Sequence, residues 1–263
     1  MAAFGGNRTY YSSLFLLNRR ANIFIIPQRI LLGLDNPFTS YYAQLLHQGN
    51  MLQDHVRTGT YQRAFVDNKT DFEGKVVMDC GTGSGMLAFF AVQAGARIVY
   101  AVEASEAAAV AQDLCNANGY QDRVVIVKGK VEEIELPEKV DVIISEPIGC
   151  LLVHERMIES YIAARDRFLK PGGLMMPTMG SIVLAPFADS TLYEDQVGKA
   201  SFWDNADFYG INLTCAKDRA IAEYMSQPIV GYFPAKQLLS AQRTVHTIDF
   251  QTVTAAELQN FHI

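Results

Sequence analysis

A glycine-rich turn between an apolar segment and a helical segment constrains the fold of this chain more than any other feature. Val76–Met78 is the apolar segment, and Asp79-Cys-Gly-Thr-Gly-Ser-Gly85 follows it directly. Gly81 and Gly83 let the backbone approach a ligand closely, because they carry no Cβ. Such a turn is typical of the first strand-to-helix connection in a parallel α/β sheet, although it can also merely join a strand to a helix.

Strand-like and helix-like segments alternate after this turn. Gly95 and Gly119 are placed to end the first two helices, and Pro171 to stop the third. The alternation predicts an α/β fold with a doubly wound, Rossmann-like parallel sheet. The predicted elements are strand Val76–Met78, helix Ser84–Ala94, strand Ile98–Val102, helix Ser105–Asn118, strand Val124–Val127, strand Val140–Ser145 and helix Glu155–Leu169.

The flanking segments have other patterns. A helical pattern fits Phe38–Phe65, with breaks expected at Gly49 and Gly59. Residues 1–36 show no clear period. Residues 1–34 hold four arginines and no acidic residue, so they carry a charge of +4.

Strand character without intervening crossover helices returns after residue 178. It is found in Ser181–Leu184, Ile229–Phe233 and Arg243–Phe250. The aromatic-rich segment 189–228 between the first two is predicted to be a helical insertion. Exposed aromatic residues in it would indicate a docking surface for another subunit, although packing into a local core would also account for them.

Composition and charge exclude several classes of protein. The chain has 263 residues, of which 49% are hydrophobic, and this is enough to build a globular core. A net charge of −6 argues against a surface that coats nucleic acid and fits a basic partner. Four cysteines without paired spacing, and no histidine cluster, predict a reducing compartment and neither disulfides nor a metal site. No apolar run approaches the roughly 20 residues that span a bilayer.

Two glutamates, Glu146 and Glu155, lie on either side of a break after the strand Val140–Ser145. Pro147 and Gly149 interrupt the chain between them, so both carboxylates can face one pocket. Two adjacent carboxylates repel each other unless a cation lies between them, and the planar fork of a guanidinium fits that place. The same residues are also compatible with a capped strand end and the start of a solvated helix.

The glycine turn predicts S-adenosylmethionine rather than a nicotinamide cofactor. Its spacing differs from Gly-x-Gly-x-x-Gly, and Asp79 would repel a pyrophosphate but suits an ammonium group. Glu103, at the end of the second strand, is placed to accept hydrogen bonds from a ribose. Val131 and Glu132 follow the third strand and are placed to hold the adenine.

Taken together, these motifs resemble the protein arginine N-methyltransferase family from near Phe38 to the end of the chain, and its coactivator-associated branch most. Several spaced motifs in the correct order are more specific than any one of them. The motifs are Met51-Leu-Gln-Asp-His-Val-Arg-Thr-Gly-Thr-Tyr-Gln-Arg63, Tyr100-Ala-Val-Glu-Ala-Ser105, Gly129-Lys-Val-Glu-Glu133, Ser145-Glu-Pro-Ile-Gly149 and Glu155-Arg-Met-Ile-Glu-Ser-Tyr161.

The resemblance implies roles for individual residues. Arg57 would pair with the cofactor carboxylate, and Glu146 and Glu155 would grip the substrate guanidinium. Tyr42 and Met51 would lie near the arginine and the transferred methyl group. The implied enzyme is a homodimer that asymmetrically dimethylates arginine in histones and in RNA-binding or transcription proteins, in the nucleus and cytoplasm. Direct contact with nucleic acid or membrane is not expected.

The resemblance also implies a domain organisation. Residues 1–36 are unassigned, 37–70 form cofactor-covering helices, and 71–178 form the S-adenosylmethionine-binding domain. Residues 179–263 form a partial β-barrel whose dimerisation arm lies at about 189–228.

Departures from the family pattern leave two functions open. Cys150 and His154 replace a tyrosine and an asparagine of close relatives, and Phe38 replaces a frequent tyrosine. Because the family's later Thr-His-Trp segment is absent before Ile263, we expect a fragment, a truncated isoform or an imperfect gene model. The chain is then either an active methyltransferase or a catalytically weak relative that binds only cofactor and partners. The motif Ser145-Glu-Pro-Ile148 disfavours a nucleic-acid or small-molecule methyltransferase, and the glycine spacing disfavours a dehydrogenase.

Overall fold

The computed structural model describes residues 41–261, which fall into two compact units. One unit comprises residues 41–182 together with 246–261, and the other comprises residues 183–245. The unassigned segment 1–36 and the predicted helix start at Phe38 lie outside the described residues. In chain order the helices and strands are α1 Leu45–Gln53, α2 His55–Asp67, β1 Val76–Cys80, α3 Met86–Gln93, β2 Ile98–Glu103, α4 Ala107–Ala117, β3 Val124–Lys128, β4 Val140–Ser145, α5 Met157–Phe168, β5 Leu169–Met176, β6 Met179–Leu184, α6 Ser190–Gly198, α7 Lys217–Met225, β7 Thr244–Asp249 and α8 Ala255–Gln259.

A five-stranded parallel sheet forms the centre of the larger unit. Its strand order is β3-β2-β1-β4-β5, and every neighbouring pair is parallel. The chain runs outward from β1 to β3 and then returns to place β4 on the other side of β1. A topological switch point therefore lies between the carboxyl ends of β1 and β4, where sheets of this kind bind ligands. The predicted α/β fold is confirmed.

Apolar side chains on both faces hold this sheet in place. All five residues of β1 are buried, as expected for a strand that is covered by helices on both sides. Phe65 of α2 is fully buried and its ring lies 4.7 Å from that of Phe72. Both rings belong to the cluster that includes Val77 of β1, so α2 is fastened to the sheet by its inner face.

The break between α1 and α2 differs from the prediction. Gly49 lies inside α1 and Gly59 inside α2, and the chain breaks at Asp54 instead. The Asp54 carboxylate accepts a hydrogen bond from the backbone N–H of Arg57 at 3.0 Å. This N-cap starts a new helix and contributes about 1 kcal/mol, which is enough to offset the similar cost of a glycine within a helix.

Strand β5 was not predicted from the sequence, and the preceding helix ends at Phe168 rather than at Leu169. The sequence Pro171-Gly-Gly173 indicates a stop, yet it lies within β5. The register moves from Val140–Leu169 to Val142–Leu174, so the extra residues of β5 form a bulge. An edge strand tolerates proline and glycine at such a bulge, because the lost hydrogen bonds face away from the sheet.

The second half of the chain contains fewer strands than predicted. Residues Ile229–Phe233 have no regular secondary structure, and Val230 and Tyr232 are exposed, so that predicted strand is wrong. Strands β6 and β7 pair with each other in a two-stranded sheet. Closing a barrel requires more strands than this. The predicted partial β-barrel is therefore not confirmed.

Residues 189–228 contain α6 and α7, in agreement with the predicted helical insertion. Its aromatic side chains are largely exposed, with Tyr193 at 61% and Tyr209 at 92% of full accessibility. Phe202 contacts both Trp203 and Phe208 with ring centroids 5.4 Å apart, so part of the segment forms a small aromatic cluster that remains open to solvent. Within residues 41–261, every helix is too short or too polar to cross a membrane.

Replacing Phe65 by alanine tests whether α2 is fastened to the sheet. We expect Phe65→Ala to lower the free energy of unfolding by about 3–5 kcal/mol, because a fully buried ring is replaced by a cavity. Val66→Ala is the control, since the neighbouring Val66 is 63% exposed, and it should cost less than about 0.5 kcal/mol. Urea denaturation followed by circular dichroism measures both. Equal effects of the two variants would contradict the packing described.

Candidate functional site

The glycine turn after β1 has a backbone that other residues rarely adopt. Gly81 and Gly83 have φ angles of 74° and 55°, in the left-handed region. A Cβ on Gly81 would lie 2.8 Å from Met157 Cε, and one on Gly83 would lie 2.8 Å from Gln48 Oε1. Glycine is therefore needed here both for the backbone conformation and for the space above it.

A cavity of about 380 Å³ opens above this turn, at the carboxyl ends of β1, β2 and β4. Its volume falls within the range of small-molecule sites, about 300–1,000 Å³. Most of the residues predicted for the site line it, namely Tyr42, Met51, Arg57, Gly81, Gly83, Glu103, Val131, Glu132, Glu146 and Glu155.

Glu103 connects the end of β2 to the glycine turn. One of its carboxylate oxygens, Oε2, accepts a hydrogen bond from the Gly83 N–H at 2.8 Å, and Oε1 accepts one from the Ser105 N–H, also at 2.8 Å. Each oxygen retains a further lone pair for a donor in the cavity. The carboxylate is thus held rigidly at the position predicted to bind a ribose.

Gln48 joins helix α1 to the glycine turn. This role of Gln48 was not predicted from the sequence. Its side chain is 4% exposed, Oε1 accepts from the Ser84 N–H at 3.0 Å, and Nε2 donates to the Tyr42 carbonyl at 2.8 Å. A glutamine on the face that a helix turns towards the core is the signal that could have identified it. Met51 of the same helix lines the cavity.

The loop between β4 and α5 brings Glu146 and Glu155 to the same cavity. Gly149 makes the return possible, because a Cβ there would lie 2.7 Å from Glu155 Cγ and 2.9 Å from Glu155 N. Helix α5 begins at Met157, so Glu155 is a loop residue and not the start of a solvated helix.

Each of the two carboxylates has a partner from the preceding helical region. Arg57 donates to Glu146 Oε2 from Nη2 at 2.6 Å and from Nε at 3.2 Å. The Tyr42 hydroxyl donates to Glu155 Oε2 at 2.9 Å. The resemblance implied that Arg57 holds a cofactor carboxylate, whereas in this structure its guanidinium binds Glu146.

Burial raises the pKa of Glu146, Arg57 partly offsets the rise, and repulsion from Glu155 adds to it. The pKa of Tyr42 is raised by burial and by its hydrogen bond to Glu155, so the phenol remains a proton donor. The two glutamates therefore interact electrostatically, and a cation between them would relieve the repulsion.

Asp79, two residues before the turn glycine Gly81, is not among the residues that line the cavity. Its side chain is fully buried, Oδ2 accepts from the Thr82 hydroxyl at 2.6 Å, and Oδ1 has no hydrogen-bond partner within residues 41–261. Burial raises the pKa of Asp79 to about 7, the Thr82 hydrogen bond opposes the rise, and Glu103 adds to it. The predicted contact between Asp79 and an ammonium group stays a prediction.

The far side of the cavity is formed by the chain after β3. Val131 is buried in the wall, and the Glu132 carboxylate accepts a hydrogen bond from the Ser160 hydroxyl at 2.6 Å. Among the described residues, no group of three or more histidine, cysteine, aspartate or glutamate side chains could hold a metal ion.

Comparisons with known proteins agree with this geometry. Residues 77–173 match the model of a methyltransferase domain, and residues 178–263 match that of the arginine methyltransferase oligomerization subdomain. By fold and by site, the larger unit is thus of the methyltransferase type.

Among methyltransferases, the similar curated proteins are histone-arginine methyltransferases. A probable histone-arginine methyltransferase CARM1 of Oryza sativa subsp. japonica is 56% identical over 85% of this chain and 42% of that relative. The histone-arginine methyltransferase CARMER of Anopheles gambiae is 48% identical over 86% of this chain and 36% of that relative. The chain therefore spans about two fifths of the length of the curated relatives it matches.

Solved structures give the same result. Arabidopsis thaliana protein arginine methyltransferase 10 superposes with a TM-score of 0.71 at 37% identity, over 84% of this chain and 66% of that one. The Trypanosoma brucei PRMT1 enzyme–prozyme complex with AdoHcy gives 0.70 at 34% identity, over 82% and 66%. The chain belongs to the protein arginine methyltransferase family.

The raised pKa of Asp79 predicts a pH-dependent stability. Near pH 3 the group is protonated in both states, but between its ordinary pKa of 3.8 and about 7 only the unfolded chain ionises. Unfolding then releases a proton, so this residue makes stability fall as pH rises through that window. We expect Asp79→Asn to flatten the dependence of the unfolding free energy on pH between 4 and 7.

Asp113→Asn is the control for this effect, because Asp113 is exposed on α4. Denaturant titrations at several pH values measure all three proteins. A slope in Asp79→Asn as steep as in the unsubstituted chain would contradict the burial described.

Proposed function

We propose that this chain carries the cofactor-binding and arginine-binding machinery of a protein-arginine N-methyltransferase. It would transfer a methyl group from S-adenosylmethionine to arginine in proteins such as histones and form asymmetric dimethylarginine. The observation that carries the proposal is one cavity with Glu103 and the glycine turn on one side and the Glu146–Glu155 pair on another.

The chain's residues suit S-adenosylmethionine. The turn at Gly81 and Gly83 exposes bare backbone to the cavity, so a ligand can approach closely. Glu103 would accept hydrogen bonds from the ribose, and Val131 and Glu132 would hold the adenine. Arg57 is the cation that would bind the carboxylate. When bound, S-adenosylmethionine supplies a methyl group activated by a sulfonium.

The two glutamates suit a guanidinium. Arginine is protonated at any physiological pH, so its nitrogens are poor nucleophiles and its charge must be balanced when it leaves water. Glu146 already accepts two donors from a guanidinium, that of Arg57, which supports its ability to bind one. Glu155 and the Tyr42 hydroxyl lie beside it and would orient the substrate. Fixed orientation can lower the barrier by several kcal/mol.

A catalytically weak relative that binds only cofactor and partners is the second candidate. One observation favours it: Arg57 occupies Glu146, so a substrate guanidinium must compete with a guanidinium of the chain itself. Binding of S-adenosylhomocysteine without methyl transfer to any arginine peptide would support this candidate over the first.

The proposed partners follow from the second unit and from the relatives. The exposed Tyr193, Phe202 and Tyr209 in residues 189–228 would serve a homodimer, because exposed aromatic side chains are typical of interfaces. The match to an oligomerization subdomain supports this assignment. Substrates would be arginine-containing proteins, including histones and RNA-binding or transcription proteins, and the location would be the nucleus and cytoplasm.

Glu146→Gln tests the arginine-binding role. The neutral amide cannot balance a guanidinium, so we expect methyl transfer to fall by about 100-fold or more. S-adenosylhomocysteine binding should persist. Transfer of a radiolabelled methyl group to an arginine-rich peptide, together with isothermal titration, measures the two properties. Glu133→Gln is the control, because Glu133 is exposed and pairs with Lys130. Unreduced transfer by Glu146→Gln would refute the assignment.

Glu103→Gln tests the cofactor side. Both carboxylate oxygens accept backbone N–H groups, and an amide can accept only on one side, so the turn and any ribose contact are weakened together. We expect the affinity for S-adenosylhomocysteine to fall about tenfold, the loss of one charge-assisted hydrogen bond. Glu106→Gln, next to the same loop but paired with Lys128, should bind as before. Titration with NAD distinguishes the cofactor class, since NAD should not bind.

A further inference from the structure

The loop that carries both glutamates contains backbone conformations that its residues disfavour. Leu151 and Leu152 have φ angles of 49° and 67°, in the left-handed region where a Cβ clashes with the backbone. Two hydrogen bonds close the turn, from the Leu152 N–H to the Gly149 carbonyl at 2.9 Å and from the Gly149 N–H to the Leu152 carbonyl at 3.3 Å. Strained backbone persists only where the surroundings hold it in place.

The side chain of Leu152 supplies this hold. It is 8% exposed and lies over Gly180 of β6. A Cβ on Gly180 would lie 2.7 Å from Leu152 Cδ1, 2.9 Å from Leu152 Cδ2 and 2.9 Å from Phe250 Cζ. The missing side chain at position 180 thus leaves a notch that the Leu152 side chain fills.

The base of this notch is rigid. Phe250 is fully buried, its N–H donates to the Thr178 carbonyl at 2.8 Å, and its carbonyl accepts from Arg165 Nη1 at 2.8 Å. Its ring packs edge-on against Tyr161 with 5.9 Å between centroids. Leu152 and Phe250 both approach the bare backbone of Gly180, so the leucine packs beside a ring that the core holds in place.

Glu155 depends on this seat through the covalent chain. Only two residues separate it from Leu152, and its Cβ and Cγ pack against the bare backbone of Gly149. Neither Leu152 nor Gly180 lines the cavity, whereas Glu155 does. Any effect of the two on the site must therefore pass through the position of the loop.

We infer that Leu152 and Gly180 form an anchor that positions Glu155 for the arginine, an inference that rests on the proposed function. Leu152 is a positioning residue and not a catalytic one. The leucine inserts into the notch, the insertion holds the left-handed turn, and the turn directs the carboxylate into the cavity. Small displacements of such a group reduce rates strongly even when the displaced residue is remote from the chemistry.

Leu152→Ala tests the anchor with two independent readouts. We expect faster hydrogen exchange of the amides in residues 149–156, because the turn opens. We also expect kcat/KM for an arginine peptide to fall by about 100-fold, mostly in kcat, while S-adenosylhomocysteine binding is retained. Leu258→Ala is the control, since Leu258 is also a leucine at 8% exposure but lies outside the loop, on α8. It should change neither readout.

A volume exchange separates positioning from general loss of stability. Gly180→Ala should act like Leu152→Ala, because the new Cβ expels the leucine from the notch. Adding Leu152→Met to Gly180→Ala replaces the branched end of the leucine by a flexible, unbranched chain of similar volume, and it introduces no β-branch at the left-handed position 152. This second change should restore exchange protection and activity at least in part.

Two results would overturn the anchor. One is unchanged loop exchange and kcat/KM in Leu152→Ala, and the other is a double variant no better than Gly180→Ala alone. Failure of the unsubstituted chain to methylate any arginine peptide would instead count against the proposed function, and hydrogen exchange would still decide whether the anchor holds the loop.

Discussion

The site depends on one electrostatic constraint, which is that two glutamates share a partly buried cavity. Burial raises the pKa of Glu146, and repulsion from Glu155 adds to the rise. The chain meets the constraint with Arg57 on one carboxylate and the Tyr42 hydroxyl on the other. Both partners come from the helical region before the glycine turn. One ion pair and one hydrogen bond therefore join this region to the glutamate loop. A substrate guanidinium would meet the same need, and it must share or replace the contact that Arg57 now makes.

The fold provides the setting that makes this arrangement possible. The switch point between β1 and β4 places the glycine turn, the end of β2 and the start of the glutamate loop around one opening. Gln48 joins α1 to the turn, and Leu152 packs against Gly180 and holds the glutamate loop. The polar groups of the cavity are thus supported by contacts outside it, as a site that must hold charged groups at fixed positions requires.

The sequence predicts most of the sheet because its signals are local. Glycine at positions 81 and 83, the acid at Glu103 and the alternating apolar segments each follow from short-range backbone and burial requirements. The strand β5 escaped prediction, because a bulge at an edge strand removes the usual penalty for Pro171 and the adjacent glycines. The predicted strand Ile229–Phe233 is wrong because its apolar residues suggest a strand but no neighbouring strand within residues 41–261 pairs with it.

Pairwise contacts across the fold could not be foreseen in the same way. The sequence placed Arg57 and Glu146 at the site but not against each other, since their distance along the chain contains no information about which charge balances which. The full burial of Asp79 also escaped prediction, because it depends on which elements pack over the end of β1. Contacts of this kind require the assembled structure.

The Glu146–Glu155 pair is proposed to recognise a positively charged guanidinium. The most direct measurement is calorimetric titration of the chain, saturated with S-adenosylhomocysteine, with an arginine peptide and with the same peptide carrying citrulline. Citrulline keeps the shape of arginine but has no charge. We predict binding of the arginine peptide and a loss of at least about tenfold in affinity for citrulline, as expected when a carboxylate loses its charged partner. Equal affinity for the two peptides would contradict the account.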